Sequence, residues 1–167
     1  MLLRCSSRRS WILAALVTAA ACRSQPNAVN PAAVNPNDPE IVATVEAIFD
    51  KAVAAAGAVD AEGVLSVSTR DDTFTFITED RMLKGYDETL AAFRLTYALL
   101  QGQTNQVIER RARVLSPDVV LVSAVLEGTY TDKAGFTFPP VGLGSTAVFV
   151  RRGAEWRVIH YHQSVAK

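Results

Sequence analysis

Cysteine is almost missing from this chain. Cys5 and Cys22 are the two thiols in 167 residues, and both stand in the first 22, so the remainder has neither an internal disulfide nor a cysteine cluster for zinc. Histidine is as scarce: His160 and His162 are the whole supply, and with no third ligand at a recognisable spacing no metal site is expected. There is no excess of positive charge either. The 17 Lys and Arg balance 17 Asp and Glu, and Arg4, Arg8, Arg9 and Arg23 stand in an acid-free start, so the rest is mildly acidic. A nucleic-acid partner would need a basic face, and none is expected. The chain lacks a Gly-rich phosphate loop and a G-x-S-x-G nucleophile turn, and no cofactor is expected.

What is present begins with a leader. Met1 to Arg9 is basic, Trp11 to Ala21 is apolar, and Ala19-Ala20-Ala21-Cys22 closes the run with small residues, the pattern of a secretory signal over residues 1–21. The apolar run has 11 residues against the roughly 20 that a spanning helix needs. Residues 22–38 are rich in Pro and Asn and repeat AVNP, a composition that suits a tether. Residues 39–167 then fit one domain with one core.

Asp38-Pro39-Glu40 predicts a helix start, with Asp38 capping free N–H groups and Pro39 in the first turn. Apolar residues from Ile41 to Ala56 recur at helical spacing as far as Gly57. Asp60 is placed to cap a shorter helix, Thr73 to Thr78 alternates as a strand, and Met82 to Lys84 returns from it. A third helix is expected from Tyr86 to about Leu100. Asn105 to Leu115 and Val119 to Thr131 read as long strands around the turn Ser116-Pro117-Asp118. The second is apolar on both faces, so helices would cover one and a second copy of the chain the other. Strand alternation splits Arg110 from Arg111 and Arg113. Residues 132–144 hold Phe136 and Phe138 in a loop that is either a lid over a pocket or an ordinary surface loop.

Phe149 to Ser164 carries two alternating runs joined by Gly153-Ala154, a hairpin signal, since Gly at the first central position accepts positive φ. Counting outward from Arg152 opposite Glu155 sets Arg151 against Trp156, Phe149 against Val158, Ala147 against His160 and Ser145 against His162. Both histidines then share one face beside small residues. As acid and base they would work near neutral pH, with Glu127, Asp72 and Tyr97 the partners available by type; as core groups each would satisfy one hydrogen bond.

Helices first, then KGYDETLAAF, then long strands ending in WRVIHYHQS: this order resembles the nuclear transport factor 2 superfamily, especially its SnoaL-like members. The resemblance implies an α+β, cone-shaped fold in which a curved antiparallel sheet wraps around N-terminal helices over a cavity. Its closing hairpin is similar to the calmodulin-dependent kinase association domain, with Trp156, His160, His162 and Ser164 in matching spacing. The pocket arginines of that domain fall at Leu126 and Ala147 here, which argues against a carboxylate ligand. On this alignment the expected pocket face is Leu126, Ala147, Phe149, Val158, His160 and His162. The implied function is binding of a small apolar molecule or dimeric assembly, the alternative being a cofactor-free isomerase, cyclase or dehydratase using His160 and His162.

Ala19-Ala20-Ala21-Cys22 also resembles a bacterial lipobox, although Ala19 stands where Leu is preferred. Lipidation of Cys22 is expected, giving an exported outer-membrane lipoprotein that faces the periplasm and touches the membrane through its anchor alone; without lipidation the chain would be secreted. Metabolic labelling with a fatty acid should therefore mark the wild type, and Cys22→Ser should take up no label.

Overall fold

The computed structural model describes residues 34–166. The expected leader, Cys22 and most of the tether lie outside the described residues. Among the described residues no helix is long and apolar enough to cross a membrane. The described end of the stretch expected to be a tether is docked on the domain: Val34 packs against the core and the Val114 N–H donates to Pro36 O at 3.0 Å.

Helix α1 (Pro39–Gly57) starts as its sequence dictates, with Asp38 Oδ1 accepting from the Glu40 and Ile41 N–H groups at 3.1 Å. It buries Val45 and Phe49. Helix α2 (Ala61–Leu65) is capped by Asp60, whose Oδ1 accepts from the Gly63 N–H at 2.9 Å. Helix α3 (Tyr86–Tyr97) follows Gly85, whose φ of 79° suits glycine.

The strands are β1 (Thr75–Thr78), β2 (Arg81–Lys84), β3 (Leu100–Ser116), β4 (Val119–Asp132), β5 (Val141–Arg152) and β6 (Glu155–Val165). They form one sheet in the order β2-β1-β6-β5-β4-β3, antiparallel except where β1 runs parallel to β6. The helices cover its inner face. Arg110 lies on that side too, its guanidinium over the Phe49 ring and paired with Glu46 and Asp50 of α1, while Arg111 and Arg113 are exposed on the outer face. The third helix is three residues shorter than its expected span and β3 begins five residues earlier, at Leu100 rather than Asn105. The loop expected over 132–144 shrinks to 133–140 because Val141 to Gly144 pair with β4.

The last hairpin corrects the expected register. Gly153 takes a φ of 63°, and Arg152–Glu155, Arg151–Trp156, Val150–Arg157 and Phe149–Val158 pair as counted. A β-bulge then inserts Ile159, so Val148 pairs with His160, Ala147 with Tyr161 and Thr146 with His162. The expected pairs Ala147–His160 and Ser145–His162 do not form. The bulge sits where β6 changes its other neighbour. Val158 exchanges backbone hydrogen bonds with Val67 and Thr69, at 3.0 and 2.9 Å, whereas His160 onward pairs with β1.

Candidate functional site

Beneath the curved sheet lies a cavity of about 580 Å³, within the usual range for ligand sites. Its helical wall is Phe49, Ala52, Val53, Ala56, Val64 and Leu65 from α1 and α2, with Ala92, Phe93, Thr96 and Tyr97 from α3. The sheet contributes Phe76, Leu83, Gln103, Asn105, Leu126, Tyr130, Leu143, Ala147, Phe149, Val158, Tyr161 and Gln163. Glu79 in the β1–β2 turn and Arg81 at the start of β2, both exposed, stand at the rim.

Of the expected pocket residues, Leu126, Ala147, Phe149 and Val158 line this cavity, and His160 and His162 do not. The bulge turns Tyr161 and Gln163 inward in their place. Alternation counted through β6 hid both residues, because an extra residue in a strand leaves no mark on the apolar pattern. Glu127 and Asp72 are exposed and away from the lining, while Tyr97 is part of it. Among the described residues no His, Asp, Lys or Cys lines the cavity. Among the described residues no three His, Cys, Asp or Glu cluster in a manner that would hold a metal.

His160 instead faces Thr75 across the β1–β6 pair, with Thr75 Oγ1 and His160 Nδ1 hydrogen-bonded at 2.7 Å. In the neutral ring protonated on Nε2, the threonine hydroxyl donates. Burial and the neighbouring His162 both disfavour the imidazolium and lower the His160 pKa.

Tyr161 and Tyr97 are held by aromatic packing. The Tyr161 ring stacks on Phe76 with centroids 5.6 Å apart, Phe76 meets Phe93 edge-on at 5.2 Å, and Phe93 meets Tyr97 edge-on at 5.5 Å. Burial pushes the Tyr97 pKa up to about 12 and raises those of Tyr130 and Tyr161. The phenols are therefore neutral hydrogen-bond donors across the physiological range.

Phe138 reaches the cavity from the β4–β5 loop and packs edge-on against Phe136, centroids 5.0 Å apart. The loop is pinned: Asp132 Oδ1 accepts from the Ala134 and Phe136 N–H groups at 2.9 Å, and the Phe138 N–H donates to Tyr130 O at 2.8 Å.

A curved six-stranded sheet closing over N-terminal helices and a cavity invites comparison with known families. The SnoaL-like domain model matches residues 45–167. The chain belongs to the SnoaL-like family. Solved structures share its cone fold at low identity. A ketosteroid isomerase-like protein from Erwinia carotovora atroseptica is 21% identical, with 77% of this chain and 98% of that one covered at a TM-score of 0.66. A nuclear transport factor 2-like superfamily protein from Salmonella enterica is 14% identical, covering 76% and 94% at 0.68. A candidate calcium/calmodulin-dependent protein kinase II association domain from Xanthomonas campestris is 22% identical, covering 73% and 85% at 0.64. Among curated proteins none matches this SnoaL-like sequence.

The position of His160 sets a pH dependence. A folded pKa below the unfolded 6.5 means that its contribution to stability is complete above pH 6.5 and is lost as pH falls through the folded value. Thermal melts from pH 7.5 down to 5 should show falling stability, and His160→Gln should flatten that slope.

Proposed function

We propose that this SnoaL-like domain is a binding module that holds a small, largely apolar molecule in its cavity. The observation carrying the reading is the lining itself: about 580 Å³ bounded by apolar side chains and a few neutral polar groups, with its single carboxylate, Glu79, exposed at the rim. The rival is a cofactor-free isomerase, cyclase or dehydratase. It would need a base within hydrogen-bond reach of a bound substrate, and His160 and His162 lie outside the lining. The proposal includes export and anchoring through Cys22, which would put the binding domain in the cell envelope.

A dimeric form is a second part of the reading, favoured by the outer face of the sheet. Val125 is 48% exposed there, and Leu121, Val148 and Val150 are half-buried farther along the same face. A second copy packed on this face would cover them.

The neutral fluorophore N-phenyl-1-naphthylamine should brighten on binding the folded protein, and Ala56→Phe, which fills the cavity from α1, should weaken that binding about tenfold, the effect of ~1.4 kcal/mol. No brightening, or equal affinity in the variant, would refute the binding reading. Sedimentation of the chain from residue 22 onward, carrying Cys22→Ser, should give a dimer at micromolar concentration. Val125→Glu should convert it to monomer by setting like charges on an apolar contact. A monomeric parent protein would remove the assembly reading.

A further inference from the structure

The cavity is chemically lopsided. Its helical wall is almost wholly apolar, whereas Tyr97, Tyr130 and Tyr161 gather with Gln103 and Asn105 where the end of α3 meets β3, β4 and β6. The three phenols are close enough that Tyr130 and Tyr161 each disfavour ionisation of Tyr97, and Tyr130 that of Tyr161. Gln103 stands beside Tyr97. Asn105 Oδ1 and Tyr130 Oη both crowd over Gly128, 3.2 and 3.3 Å from where a Cβ would stand, so the absent side chain makes room for them. Ser145, buried on the same inner face, stands next to Tyr161.

We infer that the occupant is an uncharged, flat, ring-bearing molecule whose carbonyl or hydroxyl oxygen is held by the cluster of Tyr97, Tyr130, Tyr161, Gln103 and Asn105; this rests on the binding reading above. Neutral donors in an apolar surround match a neutral acceptor oxygen, because each would otherwise lose its water without compensation. Among the described residues an anion finds no cation inside: Arg81, the one basic residue they give the lining, is exposed on β2, at the opposite edge of the sheet from Asn105 on β3. A buried ammonium likewise finds no carboxylate beyond Glu79 at the rim. The run of rings Tyr161, Phe76, Phe93 and Tyr97 gives a flat ligand faces and edges to pack on.

Three probes of one shape test the inference on the chain from residue 22 onward: 2-acetylnaphthalene, 2-ethylnaphthalene and 2-naphthoate, titrated by calorimetry at pH 7.5. The ketone should bind about tenfold more tightly than either of the others. Tyr97→Phe and Tyr130→Phe should each lower ketone affinity about fivefold, the scale of one hydrogen bond, and leave the hydrocarbon unchanged. Ketone affinity should be flat from pH 6 to 9. If the hydrocarbon binds as well as the ketone, if naphthoate equals it, or if the ketone preference survives both substitutions, this inference is overturned while the binding reading stands. If none of the three binds the folded protein, both are overturned.

Discussion

Beyond Val158, β6 leaves the backbone of Val67 and Thr69 and takes up β1, and the residue that absorbs this change, Ile159, decides what the cavity contains. Side chains in a strand alternate, so one extra residue exchanges the inward and outward sets for everything that follows. Tyr161 and Gln163 come in; His160 and His162 go out. A chain with two imidazoles thereby has a cavity with none. The electrostatic character of the site follows from a backbone partner exchange more than from residue choice.

The same placement lowers the cost of the cavity. An ionised group enclosed in apolar surroundings carries a desolvation penalty of several kcal/mol unless it is paired. This protein keeps its charges at the edges: Arg110 clamps α1 through Glu46 and Asp50, Arg151 lies over Trp156 at 4.7 Å, and Glu79 and Arg81 stand at the rim. Inside, phenols and amides supply polarity without charge, and the upward shift of Tyr97 reflects how poorly that space would tolerate a phenolate.

Features determined by neighbouring residues were legible in the sequence. The caps at Asp38 and Asp60, the turn at Gly153 and the first four pairs of the last hairpin depend on chemistry within a few positions. Phe149 and Val158 are legible as cavity residues because their pairing precedes the bulge, and Leu126 and Ala147 because they stand at pocket positions of the resembled family. Tyr161 and Gln163 were hidden because the bulge is imposed by a segment some 90 positions earlier, around Val67 and Thr69. The early start of β3 was hidden for a related reason. Gln101 to Thr104 carry no strand pattern of their own, and only pairing with Thr129 to Asp132 draws that stretch into the sheet.

The strand order also makes the sheet depend on its last strand. β6, made last among the strands, lies in the middle of the sheet, between the β1–β2 hairpin and the β5-β4-β3 meander. Those two pieces have no strand contact with each other until β6 joins them, and the parallel β1–β6 pairing spans 85 positions between Thr75 and His160. Closing so long a loop before any reward from contact makes such a topology slow to complete. Without the 11-residue β6 the sheet is two separate pieces, and the cavity lacks the wall formed by Val158, Tyr161 and Gln163.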